Sequence, residues 1–156
     1  NNCGYGNNMI FGLGGNGKIK YKTAAFYAMQ MLTHFWAQPD DSNLEIYPST
    51  SNIINRRKQP LVTSYPLLGP DGKWSLMLIN KDPRKTWDVD VNILNVISKK
   101  KIAWHPLHLI QYSKLQYHWK NDGMNSYPDL SLPPVTKKIK GSGNIPLPPY
   151  SLTVIY

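Results

Sequence analysis

The segment LPPYSLTVIY, residues 147–156, places a rigid Pro-Pro turn before an alternating run of side chains. Because successive side chains of a strand point to opposite faces, we expect Thr153 and Ile155 to share one face of a sheet. The opposite face is expected to carry Leu152, Val154 and Tyr156. The segment therefore predicts the closing strand of a β domain.

The composition indicates a folded, β-rich chain. Of the 156 residues, 41% are hydrophobic and 12% are aromatic, which excludes a disordered tail. The length allows one domain, or one small domain with a fragment of another. The single cysteine, Cys3, cannot form an internal disulfide, and we expect a free thiol with no nucleophilic or metal-binding role.

One helix is predicted before the strands, from about Thr23 to Trp36, with Thr23 as its N-cap. It is expected to end at Pro39, which Asp40 and Asp41 follow. Apolar side chains recur along this helix at spacings of three and four residues, so they form a wide stripe that a large surface has to cover. The stripe consists of Ala25, Ala28, Met29, Leu32, Phe35 and Trp36.

After this helix the apolar residues alternate with a period of two, and turn residues separate the runs. The clearest hairpin surrounds Gly69-Pro70-Asp71-Gly72. Residues 87–93 alternate between apolar and polar side chains so regularly that one face is expected to be buried and the other solvated. Short strands without intervening helices predict an antiparallel β-sandwich, so the fold class is mainly β with one preceding amphipathic α-helix. The strands are predicted at 44–47, 61–68, 73–80, 86–94, 101–104, 107–119, 135–140 and 151–156.

The net charge of +9 comes from three short basic clusters, Arg56-Arg57-Lys58, Lys99-Lys100-Lys101, and Lys137-Lys138 with Lys140. Each cluster falls in a predicted loop or edge strand, where lysines protect exposed edges from pairing with other chains. A nucleic-acid site would gather such charges on one element with interleaved aromatic residues. Solubilising surface is therefore the preferred interpretation, and a basic nucleic-acid-binding protein is the less favoured alternative.

Two patterns imitate functional motifs. Residues 12–17, GLGGNG, have the spacing of a dinucleotide-binding turn, but a strand-like segment follows them where that turn requires a helix. We expect a flexible loop there. Among His34, His105, His108 and His118 no pair stands at i, i+4 with a third ligand nearby, although His108 and His118 could share one strand. Neither a metal site nor a cofactor is predicted.

The carboxylates offer no persuasive catalytic pair. The chain has nine, and Glu45 is the single glutamate. A glycosidase needs two carboxyl groups about 5–5.5 Å apart for retention or about 6.5–9.5 Å apart for inversion. Asp71 and Asp122 lie in predicted turns. Asp88 and Asp90 lie together on the solvated face of one strand, and a pair or weak calcium site there would need neighbouring oxygen ligands that the sequence does not show. No catalytic residue is assigned.

Three blocks of the chain resemble one group of enzymes. The helix TAAFYAMQMLTHFWAQP, residues 23–39, is similar to the final helix of a (β/α)8 glycoside hydrolase. The hairpin of VTSY, residues 62–65, and DGKWSLMLINKD, residues 71–82, resembles the first hairpin of the sandwich that follows the barrel in clan A enzymes of the family 39, 30 and 51 types. Its LINKD segment is the most specific part. The ending LPPYSLTVI, residues 147–155, is similar to the closing strand of that sandwich.

The resemblance covers nearly the whole chain after about residue 20 and implies two units. Residues 1–40 would be a loop and the terminal helix of an incomplete (β/α)8 barrel, and residues 41–156 a C-terminal β-sandwich. The implied parent cleaves glycosides by a retaining double displacement with catalytic glutamates on its barrel, none of which this chain contains. The implied role is non-catalytic packing that stabilises the barrel, in cis or as a separate chain. Met29, Leu32 and Trp36 are the expected packing residues, at about 1.5–3 kcal/mol for each buried side chain.

An independent carbohydrate-binding module is the alternative. Trp119, Tyr117 and Tyr127 flank a polar loop and could form an aromatic platform for a polysaccharide. Core packing and anchoring of the loop is the plainer explanation of the same three side chains.

No run of about 18 apolar residues is present, so no membrane span or membrane partner is expected, and no signal peptide is evident. The chain begins at Asn1 in a polar, Asn/Gly-rich run, which we expect to be an internal or processed start. By the resemblance, the parent enzyme is expected to be secreted or extracytoplasmic.

Overall fold

The computed structural model describes residues 9–37 and 43–156. Over these residues the chain is mainly β with one main helix, and its paired strands are antiparallel. The helical elements are α1 (Ala24–Met31), a π-helix that continues it (Leu32–Trp36) and a short 3-10 turn (Gly123–Asn125). The strands are β1 (Phe11–Leu13), β2 (Ile19–Lys22), β3 (Glu45–Ile46), β4 (Val62–Leu68), β5 (Trp74–Asn80), β6 (Trp87–Val89), β7 (Ile93–Leu94), β8 (Lys101–Ile102), β9 (His108–Tyr112), β10 (Tyr117–Lys120), β11 (Tyr127–Ser131), β12 (Val135–Lys138), β13 (Ile145–Leu147) and β14 (Ser151–Ile155).

The central layer is a six-stranded sheet in the order β12-β9-β14-β5-β4-β3. The predicted closing strand, β14, lies inside it between β9 and β5, with Val154 opposite both Met77 and Ile110. A strand in this position is covered on both faces, which explains why the consecutive residues Thr153, Val154 and Ile155 are all buried. The predicted hairpin is also confirmed: β4 and β5 pair around a turn in which Gly72 has φ +76°.

The two faces of this sheet carry separate cores. On one face, the central sheet packs against the two-stranded sheet β6–β13, and the residues buried between them form the sheet core. It consists of Val62, Leu76, Leu78, Leu109, Ile145, Leu147 and Ile155. The helix core, on the other face, joins the sheet to α1 and consists of Tyr27, Met31, Met77, Ile110, Tyr112 and Val154. Ile155 thus faces one core, while Leu152, Val154 and Tyr156 face the other, as the alternation predicts. The result is an antiparallel sandwich with one helix packed on its main sheet.

The helix begins after its predicted N-cap, Thr23, but its buried face differs from the prediction. Thr23 occupies the N-cap position, but its hydroxyl makes no capping bond and donates instead to the carbonyl oxygens of Met9 and Ile10, which ties α1 to β1. The buried side chains of α1 are Tyr27 and Met31, whereas Met29 of the predicted stripe is 50% exposed. The ring of Tyr27 packs against that of Tyr112 at 5.2 Å between centroids, and this contact rotates the buried face away from Met29.

Several strand boundaries also differ. The predicted strand 107–119 divides into β9 and β10 because the amide and hydroxyl of Ser113 both donate to Gln116 Oε1 at 2.9 Å, which forms a turn. His108 and His118 therefore lie on different strands. The predicted strand 86–94 divides into β6 and β7, and β1, β11 and β13 have no counterpart among the predicted strands.

The glycine-rich residues 12–17 form the β1–β2 hairpin rather than a flexible loop. Gly14 N donates to Lys18 O at 2.8 Å, and Gly17 N donates to Gly14 O at 3.0 Å. A strand, not a helix, follows this turn, so the prediction that it is no dinucleotide-binding motif agrees with the backbone. Cys3, Pro39, Asp40 and Asp41 lie outside the described residues.

Candidate functional site

The aromatic cleft is a cavity of about 880 Å³ between strands β4 and β5 and the segment of chain that carries β6 and β7. Its walls include Tyr47, Trp74, Trp87 and Trp104, so three of the five tryptophans of the chain meet here. Hydroxyl and amide side chains also line it, namely Ser49, Thr50, Ser51, Asn52, Ser64 and Asn92. The combination of aromatic walls with uncharged polar groups is typical of small-ligand sites.

Strand alternation places the tryptophans in this cleft. Trp74 precedes Leu76 and Leu78 of the sheet core at two-residue intervals, so it shares their face of β5. Trp87 and Trp104 pack in part against the same core. The edge of the Tyr47 ring meets Trp74 with 5.0 Å between ring centroids. These contacts hold the aromatic walls in fixed positions.

Two polar contacts further orient these rings. Tyr47 donates its hydroxyl to Glu45 Oε2 at 2.6 Å, and this hydrogen bond raises the pKa of Tyr47 above its ordinary value. The ammonium group of Lys85 lies 3.5 Å from the ring centroid of Trp87, a cation–π contact.

The cleft itself lacks basic side chains: no lysine or arginine lines it within residues 9–37 and 43–156. Asp88 and Asp90 also contribute to its lining and are exposed, whereas Trp87 and Val89, with which they alternate, pack on the sheet core. Asp90 Oδ1 accepts a hydrogen bond from Asn144 N at 2.7 Å. The face predicted to be solvated is therefore confirmed for these two residues.

No pattern in the sequence predicts this cleft. Its residues come from five separate stretches of chain, and no local spacing brings them together. The only sequence signal is that Trp74 and Trp87 each open a run of alternating apolar side chains.

The LINKD segment forms a buried polar junction at the end of β5. Asn80 is 1% exposed, and its amide nitrogen donates to the carbonyl oxygens of Lys85, Leu147 and Pro148 at 3.0, 2.9 and 2.8 Å. The Oδ1 atom of Asp82 accepts from the amides of Arg84 and Lys85, and these two bonds lower the pKa of Asp82. The junction joins the end of β5 to the Pro-Pro turn before β14.

The three aromatic residues proposed for sugar binding do not share one face of the β10–β11 hairpin. Tyr117 packs against the helix core, and Trp119, on the same face of β10, is half-buried opposite Pro128. Tyr127 pairs instead with Lys120, whose ammonium group lies 5.7 Å from its ring centroid. Tyr127 is the exposed member at 40%. The hairpin therefore does not present the three rings as one flat platform.

Of the three predicted packing residues of the helix, two contact the sandwich. Leu32 and Trp36 are half-buried against the helix core. Trp36 Nε1 donates to Tyr65 O at 2.9 Å, and Trp36 O accepts from the Ser75 hydroxyl at 2.6 Å. Met29 is half exposed and lies outside that core.

Many of the described carboxylates have structural partners. Asp71 accepts from Lys73, whose ammonium group lowers the pKa of Asp71, and Asp129 lies 2.6 Å from His118 Nδ1. Glu45, Asp82 and Asp90 make the contacts given above. Within the described part of the chain no three His, Cys, Asp or Glu side chains are grouped as metal ligands would be.

The basic clusters lie where the sequence predicts them. Lys137 and Lys138 belong to β12, the edge strand of the central sheet, and Lys101 belongs to β8. Arg56, Arg57 and Lys58 lie in a turn closed by the Ile54–Pro60 bridge. Among the described residues, no helix has the length and apolar character needed to cross a bilayer.

No protein-family model matches the chain, and no curated protein does. Among solved structures, the crystal structure of the GH51 arabinofuranosidase from Xanthomonas axonopodis pv. citri is similar, with a TM-score of 0.41 and 16% sequence identity over 71% of this chain. This chain spans 20% of the length of that enzyme. A likeness this low establishes neither a shared fold nor a shared function.

Proposed function

We propose that this chain is a non-catalytic β-sandwich region of a glycoside hydrolase that packs on a (β/α)8 catalytic barrel and stabilises it. The observation that carries the proposal is that α1 has apolar side chains both on its buried face and outside that face. Tyr27 and Met31 fill the helix core, while Met29 is half exposed on another side of the same helix. A helix that is apolar beyond its covered face is suited to pack between two layers. The resemblance of residues 23–39, 62–82 and 147–155 to the barrel helix and sandwich of clan A enzymes supplies the identity of the second layer.

The hairpin that precedes α1 also exposes apolar side chains. Phe11, Leu13 and Ile19 are 40%, 60% and 55% exposed, although they belong to strands. Thr23 ties this hairpin to the helix start through Ile10 O. Apolar side chains exposed on neighbouring elements often mark a surface that another protein unit covers. In the proposal this unit is the barrel, attached in cis or as a separate chain.

The carboxylates support the non-catalytic part of the proposal. Glu45, Asp71, Asp82, Asp90 and Asp129 each hold a neighbouring side chain or backbone amide. Such contacts explain these groups as parts of turns and strands without a catalytic role. By the same resemblance, the parent enzyme would act outside the cytoplasm.

Two measurements test this proposal. The purified chain should fold and yet hydrolyse no 4-nitrophenyl glycoside from a panel of arabinofuranosides, xylosides and glucosides. It should also bind a hydrophobic dye such as 1-anilinonaphthalene-8-sulfonate through the exposed surface, and the triple variant Leu13→Gln, Ile19→Gln, Met29→Gln should bind less of the dye.

Thr33→Gln is the matched control, because Thr33 is an exposed polar residue of the same helical segment. Its dye binding should equal that of the unmodified chain. Turnover of any aryl glycoside by the chain alone would contradict the non-catalytic role, and unchanged dye binding by the triple variant would contradict the packing surface.

A further inference from the structure

We propose that the aromatic cleft binds a neutral saccharide of a few sugar units. Its volume of about 880 Å³ lies within the range of roughly 300–1,000 Å³ that ligand pockets of proteins occupy. The cleft lies between the main sheet and the segment carrying β6 and β7, away from the exposed face of α1. The inference therefore stands on the cleft and does not depend on a catalytic barrel.

The aromatic walls suit the apolar face of a sugar ring. Trp74, Trp87, Trp104 and Tyr47 combine large apolar surfaces with polar tips, which lets them contact C–H groups and hydroxyls of the same ligand. The indole N–H groups of Trp74 and Trp104 have no hydrogen-bond partner among the residues that the structure describes. They can donate to ligand hydroxyls without breaking an internal contact.

The remaining polar lining matches hydroxyl groups. Thr50, Asn52 and Asn92 are exposed, and their side chains are not committed to hydrogen bonds within the described chain. Ser49 and Ser51, in contrast, bond to Ser64 O and Ile53 N and hold the segment 47–53 in place. An amide side chain both donates and accepts, so it can pair with sugar hydroxyls in either orientation.

The charges indicate that the saccharide is neutral. The chain contains 18 lysines and arginines, yet none lines the cleft within its described residues, whereas the acidic residues Asp88 and Asp90 do. A uronate, sulfate or phosphate group would need such a partner on entering a partly apolar cavity, because an unpaired buried charge is costly. The basic clusters at Arg56–Lys58, Lys99–Lys101 and Lys137–Lys140 lie outside the lining.

Titration of the intrinsic tryptophan fluorescence tests the inference directly. The full chain is titrated with neutral xylo-, cello-, arabino- and manno-oligosaccharides. At least one series should change the fluorescence in a saturable manner. Trp74→Ala should weaken that binding by at least about tenfold, which corresponds to about 1.4 kcal/mol. Trp119→Ala removes an indole of the β10–β11 hairpin, and as the matched control it should retain the affinity of the unmodified chain.

Two further variants, at exposed residues that line the cleft, test the inference even if Trp74→Ala does not fold. Asn52→Ala and Asn92→Ala alter exposed side chains, so their thermal unfolding should match that of the unmodified chain, while each weakens binding by about two- to tenfold. The inference is overturned if no neutral oligosaccharide binds, or if oligogalacturonate binds more tightly than every neutral series. It is also overturned if Trp119→Ala loses affinity while both asparagine variants keep it.

Discussion

Asn80 illustrates how one side chain can join two distant parts of the sandwich. Its amide bonds to three carbonyl oxygens, and its Oδ1 accepts from Asp82 N at 2.9 Å, all at 1% exposure. Because Asn80→Ala leaves several of these buried groups unpaired, we expect it to lower the free energy of unfolding by about 3 kcal/mol. Urea denaturation followed by circular dichroism measures the change. The exposed Asn92→Ala should change it by less than about 0.5 kcal/mol, and an unchanged urea midpoint for Asn80→Ala would contradict the role of this junction.

Asp82 gives the junction a dependence on pH. Hydrogen bonds from the amides of Arg84 and Lys85 lower its pKa below the ordinary 3.8, so the ionised carboxylate favours the folded state. This contribution is fully present above the ordinary value and is lost as pH falls through the lowered pKa.

Asp82→Asn should therefore reduce stability at neutral pH and flatten the loss of stability below about pH 4. Thermal unfolding of both proteins between pH 7 and pH 2.5 provides the measurement. A constant difference between the two melting temperatures across this range would refute the assignment.

Tyr112 presents the opposite case, a buried polar atom that makes no bond. Its hydroxyl has no hydrogen-bond partner within residues 9–37 and 43–156, and burial raises its pKa. Removing an unpaired buried hydroxyl relieves a desolvation cost, so Tyr112→Phe should raise the free energy of unfolding by about 1 kcal/mol. Urea denaturation of Tyr112→Phe and of Tyr65→Phe, whose ring is 39% exposed, separates this effect from that of a surface hydroxyl. Destabilisation by Tyr112→Phe would show that the hydroxyl has a partner after all.

Among the elements, the β1–β2 hairpin depends on a close approach between Gly12 and Tyr21. The two residues are paired across the strands, and a side-chain carbon at Gly12 would clash with the Tyr21 ring. Gly12→Ala should displace that ring and destabilise the hairpin by about 1–3 kcal/mol. Hydrogen exchange of the β1 and β2 amides measures the effect. Gly15→Ala is the control, because no atom lies within 4 Å of its added carbon, and equal exchange in both variants would contradict the packing argument.

The elements that local sequence rules predict are those whose signal is contained in one stretch of chain. The β4–β5 hairpin follows from the turn at 69–72, where Gly69 N donates to Lys73 O at 2.9 Å. The strand β14 follows from its own alternation. In contrast, β11 and β13 contain Pro128 and Pro146, which favour a loop on local rules. Each of these strands pairs with a single partner in a two-stranded sheet, so one edge needs no ladder hydrogen bonds and proline is tolerated.

Local sequence rules do not predict the buried face of α1 or the aromatic cleft, because both depend on contacts between residues that are far apart in sequence. The spacing of apolar residues allows several stripes on α1, and the contact between Tyr27 and Tyr112, far apart in sequence, selects one of them. The cleft similarly joins Tyr47, Trp74, Trp87 and Trp104. Which aromatic residues meet is set by the order of strands in the sheets, and that order is a property of the assembled fold.

In the molecule as a whole, the helix and the sandwich are expected to behave as one cooperative unit. The strands β5, β9 and β14 carry both cores, since Leu76 and Leu78 face the sheet core while Met77 between them faces the helix core. A side chain removed from either core therefore weakens strands that the other core shares. The proposed stabilisation of a barrel requires this coupling, because a helix that detached on its own could not transmit stability to a neighbouring barrel.

Met31→Ala and Leu147→Ala test this coupling, since the two side chains are 0% exposed and belong to different cores. Each should lower the free energy of unfolding by about 2–5 kcal/mol, through lost burial and the cavity that remains. Both variants should unfold in one transition that far-UV circular dichroism and tryptophan fluorescence report at the same temperature. The exposed Thr33→Ala should unfold close to the unmodified chain. If Met31→Ala instead unfolds the helix in an earlier, separate transition and leaves the melting temperature of the sheet unchanged, the helix is an independent unit. Packing of the helix on a barrel could then not stabilise the barrel through the sandwich, as proposed.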